Sequence, residues 1–168
     1  MQAEFCEAFL RACKENGIHT AIESALDVPC ASIERVLPYT DLIFADLKLA
    51  SAERHLTYTG RDNARILENL TRLSRTQKSL IVRIPLIPSV NDTEEEQSAI
   101  ASVLLSLGDA VREVELLRYN PLAEGKYRAI GKNYTAFASE GQTDAEMERF
   151  RADLSRRIDA RFPIVFAK

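Results

Sequence analysis

Apolar positions along this chain recur with two periods, and the places where one gives way to the other lay out the elements. Cys6, Phe9, Leu10 and Cys13 stand at i, i+3, i+4 and i+7, the stripe of an amphipathic helix over residues 3–15 that Asn16-Gly17 would stop. Four strand-like runs follow, over residues 17–23, 41–48, 80–87 and 113–119. Between them the helical period returns. After Pro29 a short helix carries Ile33, Val36 and Leu37, and Pro38 marks its end. Asn63 can cap a helix whose buried face is Ile66, Leu67, Leu70 and Leu73. Thr93 and Glu96 have the spacing of a capping box for a helix through Ile100, Val103, Leu104 and Leu107, stopped by Gly108. Thr143 and Glu146 repeat that spacing before Met147, Phe150, Leu154 and Ile158, and residues 162–166 allow a last short strand. Residues 121–141, with Gly and Lys among them, read as a long loop.

Strands that alternate with helices predict an α/β protein with a parallel sheet and right-handed crossovers. About four β/α units plus a C-terminal helix fit one domain over residues 1–168. A complete eight-unit barrel takes about 250 residues, so the expectation is a partial (β/α) barrel or an open sheet. The opening helix reads as the tail of a unit whose strand is missing.

The runs end on polar groups. In the octapeptide of residues 41–48, Phe44, Asp46 and Lys48 are two apart and share a strand face. Glu23-Ser24 and Arg83 stand at or near the ends of two other runs. In parallel β/α architectures that edge carries the ligand site. Carboxylates hold ammonium groups or cations and Lys or Arg hold carboxylates or hydroxyls, so these residues can converge on a small ligand bearing both charges. A structural ion-pair network, Asp46 with Lys48 and Arg83 with Glu115, accounts for the same charges and stays open beside it.

Composition narrows the classes. The chain has 168 residues, 46% of them hydrophobic and 28% charged, with a net charge of -3. That is enough to bury a core, and it leaves no basic face for nucleic acid. No apolar run approaches about 18 residues, so no membrane span is expected, and the chain reads as cytoplasmic. Cys6, Cys13 and Cys30 contain no CxxC pair. On one helix Cys6 and Cys13 are about 10 Å apart along the axis, too far to share a tetrahedral metal. They read as small buried hydrophobes. His19 and His55, the two histidines, are expected to make local hydrogen bonds, and Pro85 and Pro88 to interrupt the third strand.

Several blocks together resemble the activating enzymes of glycyl radical enzymes, the pyruvate formate-lyase activase group of the radical S-adenosylmethionine superfamily. They are residues 17–24, residues 40–48, His55 with Thr59-Gly60, residues 83–88 with Asn91-Asp92, and residues 116–120 with Gly125-Lys126-Tyr127. The resemblance implies the later strands of a six-unit radical barrel. It implies an oxidoreductase in which a 4Fe-4S cluster cleaves S-adenosylmethionine and the 5'-deoxyadenosyl radical takes hydrogen from a backbone glycine of a pyruvate formate-lyase-like partner. By analogy Glu23, Ser24, the Phe44 carbonyl and Asp46 match a cluster that binds a monovalent cation and the methionine portion. Lys48 matches a contact to methionine or ribose, and Arg83, Pro85 and Asn120 match positions lining the cofactor and its adenine. The family's CxxxCxxC cluster loop is not found in these residues, which implies the C-terminal half of an activase, inactive alone. Two rival readings remain: a partner-binding or self-associating half-barrel whose open strand edge a second copy covers, and a Schiff-base enzyme using Lys48.

Overall fold

The computed structural model describes residues 2–122, 126–127, 129–132 and 137–167. Five strands, β1 (Ala21–Ser24), β2 (Leu42–Asp46), β3 (Ser79–Pro85), β4 (Val111–Leu117) and β5 (Ile164–Phe166), form one sheet in chain order. Every pairing is parallel. The helices are α1 (Ala3–Glu15), α2 (Cys30–Val36), α3 (Ala52–Thr59), α4 (Ala64–Ser74), α5 (Glu94–Leu107) and α6 (Asp144–Arg157).

Chain order in a parallel sheet is the winding of a barrel wall, with helices on one face. The core confirms which face. Ile43 and Ala45 of β2, Leu80, Val82 and Ile84 of β3, and Val114 and Leu116 of β4 pack with Ile66, Leu70, Ile100, Leu104, Phe150 and Leu154 from the helices. Residues of opposite parity, Glu23, Phe44, Asp46, Arg83 and Glu115, therefore share the other face. The fold is the predicted partial barrel, with the short strand at Ile164–Phe166 supplying a fifth member.

Several elements differ from their sequence expectations for physical reasons. β1 is only four residues long, because Asp41 Oδ2 takes the Thr20 N–H at 2.9 Å and Gly17 turns at φ 72°. Residues 17–20 thus form a connection. β2 stops at Asp46, although the Leu47 N–H still donates to the Arg83 carbonyl at 2.8 Å. The stripe on α1 is only partly inward: Leu10 is buried, whereas Phe9 is 58% exposed and stacks on Phe5, which lies outside the stripe and is 65% exposed. All three cysteines are free and half-buried rather than buried. Helix α3 has no apolar stripe and buries His55 alone, so its period is not visible in the sequence. It is bounded by Ser51, whose side chain accepts the Arg54 N–H, and by left-handed Gly60.

The capping predictions divide. Thr143 and Glu146 form the complete reciprocal box at the start of α6. Thr93 caps α5, but the Glu96 side chain goes elsewhere. Asn63 sits at the N-cap position of α4 with no capping bond, and Asp62 takes the Ala64 N–H at 3.0 Å instead. Part of the 121–141 loop, Gly125 included, lies outside the described residues.

Candidate functional site

Register carries the charged residues into a row across the helix-free face. Glu23 is opposite Phe44, Asp46 opposite Arg83, and Arg83 opposite Glu115. The Arg83 Nε lies 2.7 Å from Glu115 and its Nη1 2.6 Å from Glu23, with the guanidinium 4.4 Å from the centre of the Phe44 ring. Partial burial alone would lower the Arg83 pKa, but the bonds and charges of Glu115 and Glu23 outweigh it, and the net shift is upward. Phe44 thus contributes its ring to holding Arg83, a cation–π contact that strand spacing does not announce.

Lys48 Nζ is 2.8 Å from Asp46 Oδ2, so both ion pairs of the network reading form. The Asp46–Lys48 pair is less buried than its strand pattern implies: the side chains are 18% and 44% exposed. An exposed pair of this kind is worth roughly 0–1 kcal/mol, and its charges remain available to a ligand. The same exposure leaves no apolar enclosure to desolvate Lys48, the setting that a Schiff-base lysine needs. Asp46 and Lys48 open on a cleft of about 170 Å³ that Asp27, His55, Thr59 and Arg61 also line.

The loop after β2 is held in place by three buried polar side chains that sequence reasoning assigned to other tasks or left unassigned. Asn91 donates to the carbonyls of Lys48 at 2.8 Å and Pro85 at 2.7 Å, and its Oδ1 accepts the Ile87 N–H at 2.7 Å. Asn63 donates to the carbonyls of Leu49 and Ala50. Glu96 accepts the N–H groups of Ala50 and Ser51, and Arg54 stands 3.8 Å from its second oxygen. Backbone groups from Lys48 through Ser51 are therefore fixed from α4, α5 and the loop after β3. Most buried polar groups are hydrogen-bonded, and here the bonds run to the segment carrying Lys48. The available signal was polar residues flanking predicted helix starts, a pattern that capping alone also explains.

The remaining predicted residues are more dispersed. Ser24 is beside Glu23 on β1, and its hydroxyl accepts the Leu26 N–H at 2.9 Å. Pro85 ends β3 and offers its carbonyl to Asn91. Asn120 lies beyond β4, exposed, with its Oδ1 taking the Leu122 N–H at 2.9 Å. The cation set of Glu23, Ser24, the Phe44 carbonyl and Asp46 spans two adjacent strands, each side chain already engaged by a protein partner. Among the described residues no three His, Cys, Asp or Glu side chains gather as metal ligands. His55 makes the expected local bonds, its Nδ1 lying 2.7 Å from the Arg61 carbonyl. His19 is exposed and forms no side-chain hydrogen bond among the described residues, contrary to expectation.

A parallel sheet wound in chain order, with helices on one face and charges on the other, is the wall of a β/α barrel. It superposes on a domain of pyruvate-formate lyase-activating enzyme from Bacteroides vulgatus with a TM-score of 0.76 and 23% identity, covering 97% of this chain and 90% of that one. In sequence the chain is 42% identical over 135 residues to the (2S)-3-sulfopropanediol dehydratase activating enzyme of Klebsiella oxytoca, covering 80% of this chain and 43% of the relative. It is 33% identical over 166 residues to the choline trimethylamine-lyase activating enzyme of Oleidesulfovibrio alaskensis, covering 98% of this chain and 53% of the relative. No family model matches. The chain is a homologue of the glycyl radical enzyme activating enzymes. It spans about half the length of the curated relatives it matches.

Proposed function

We propose that this chain is the C-terminal, S-adenosylmethionine-binding half of an activating enzyme that generates a glycyl radical on a pyruvate formate-lyase-like partner. The observation that carries the reading is the Asp46–Lys48 pair at the C-terminal end of β2, half open to a cleft, in a chain homologous to activating enzymes. The donor set suits the cofactor: its methionine portion carries an ammonium and a carboxylate, and its ribose two hydroxyls. Lys48 would hold the carboxylate or ribose and Asp46 the ammonium. Glu23, Ser24 and the Phe44 carbonyl would join Asp46 around a monovalent cation, and Arg83, Pro85 and Asn120 would line the remaining cofactor surface. Bound at a reduced cluster, the cofactor supplies the radical precursor. This chain's residues bind it, orient it and keep its charges paired.

Cys6, Cys13 and Cys30 do not form the three-cysteine loop that leaves one iron open, so the cluster ligands come from outside these 168 residues. The 168-residue polypeptide alone is accordingly inactive in reductive cleavage. The free cysteines suit a reducing cytoplasm, and no described helix is long and apolar enough to cross a membrane. A second reading, a self-associating half-barrel, is favoured by exposed Phe5 and Phe9 on α1, by exposed Ile18, and by β1 standing at the end of the sheet among the described residues.

The test is a titration of the chain with S-adenosylmethionine followed by backbone amide chemical shifts. Saturable shifts at Asp46, Lys48 and their neighbours support the reading. Shifts scattered over the surface, or none, refute it.

A further inference from the structure

His55 lines the Asp46–Lys48 cleft but has no place in the set above. It sits within α3, 5% exposed. Its Nδ1 is 2.7 Å from the Arg61 carbonyl oxygen and 3.0 Å from the Thr59 hydroxyl. A carbonyl can only accept, so Nδ1 carries the proton, and in the neutral ring Nε2 keeps its lone pair. No described group donates to Nε2. Nε2 has no hydrogen bond among the described residues, and His55 lines this cleft.

We propose that His55 Nε2 is a ligand contact in the cleft, accepting a hydrogen bond from a hydroxyl or ammonium group of the small polar molecule that Asp46 and Lys48 bind. The inference rests on the functional reading above and adds a binding residue to it. Its chemistry follows from the lining. Asp46 offers a charged acceptor, Lys48 a charged donor, and His55 an acceptor at Nε2 with Nδ1 held by the Arg61 carbonyl. A cleft of about 170 Å³ is smaller than a whole drug-sized site, so it takes one portion of the cofactor. Asp27 and Arg61 are paired with each other at 3.1 Å, so Asp46 and His55 beside Lys48 select the portion richer in donors, a ribose diol or an α-ammonium. Because Nδ1 is held by the backbone carbonyl that follows the helix stop at Gly60, the ring cannot turn to offer Nδ1 instead. The residues His55, Thr59 and Arg61 act as one device that fixes the ring.

Two substitutions separate the ring's two nitrogens. His55→Asn keeps an amide donor for the Arg61 carbonyl and loses the acceptor at the Nε2 position. His55→Gln reaches the Nε2 position with an oxygen and loses the inner bond. Binding of S-adenosylmethionine and of L-methionine is followed by amide shifts, and melting of each variant is recorded. The expected result is that His55→Asn melts close to wild type but binds at least one probe about fivefold to tenfold more weakly. His55→Gln melts lower yet keeps most of the affinity. Wild type binding with His55→Asn unimpaired overturns this inference and leaves the functional reading standing. Wild type that binds neither probe overturns both. A long-range ¹H–¹⁵N spectrum showing a proton on His55 Nε2 overturns the inference alone, whatever the ligand does.

Discussion

Asn91→Ala is the sharpest stability test of how the site is built, because one fully buried side chain ties the loop after β3 to the loop carrying Lys48. Truncation removes three hydrogen bonds, to the Lys48 and Pro85 carbonyls and from the Ile87 N–H. A typical bond contributes about 1 kcal/mol net, and a buried donor left without a partner costs about 1–3 kcal/mol. The two carbonyls and the stranded N–H together give a loss of about 3–5 kcal/mol. For a chain of this size each kcal/mol moves the melting temperature by about 2–4 °C, so a fall of roughly 10 °C is expected. Urea unfolding followed by circular dichroism measures the free energy directly. Asn91→Asp sharpens the test, since it keeps the acceptor for Ile87 but turns a carboxylate oxygen toward two carbonyl oxygens. Burial beside acceptors raises its pKa in the folded state above the unfolded value of about 3.9. Its stability relative to wild type is therefore recovered below that pH and lost as pH rises through the folded pKa. A loss under about 1 kcal/mol for Asn91→Ala, or a pH-independent Asn91→Asp, would refute the clamp.

Lys48→Ala should weaken S-adenosylmethionine binding about tenfold to a hundredfold through loss of a charge-assisted contact, with little change in the urea midpoint because the pair is half exposed. A large stability loss with unchanged affinity would make the pair structural. Asp41 has its carboxyl held well below the usual range by the Lys14 ammonium and then by the Thr20 N–H. Its folded pKa is depressed, so its contribution is present above the unfolded pKa and lost as pH falls below about 4. Asp41→Asn should therefore destabilise the chain at pH 7 and approach wild type in acid, and an equal difference at both pH values would refute the account. Phe5→Ser with Phe9→Ser should lower any self-association seen by light scattering without lowering the melting temperature. An unchanged mass distribution would remove the α1 face from that interface.

Where the period was long and apolar, the sequence was a faithful guide. Ile100 and Leu104 of α5, and Met147, Phe150 and Leu154 of α6, are buried as their spacing predicts. Parallel strand order followed from the alternation of elements, and Asp46, Lys48 and Arg83 were found at the edge where the sheet presents them. What escaped was polar. Helix α3 is a polar octapeptide that buries one histidine. Asn63 and Glu96 occupy positions where capping is the nearest available role, and only tertiary placement reveals that they bind the segment after β2. The exposure of Phe9 was equally hidden, since a stripe of apolar residues does not say which of its members finds a neighbour.

On the proposed reading these residues form the cofactor-binding half of an activating enzyme. That reading is tested most directly in a chimera of the Klebsiella oxytoca relative in which the matching 135-residue region is replaced by that of this chain. The chimera is loaded with iron and sulfide, supplied with S-adenosylmethionine and reductant, and mixed with the relative's sulfopropanediol dehydratase. A glycyl radical signal is expected in the electron paramagnetic resonance spectrum, lost when the chimera also carries Lys48→Ala. A folded, cluster-loaded chimera that yields no radical, or one whose radical yield is indifferent to Lys48, would contradict it.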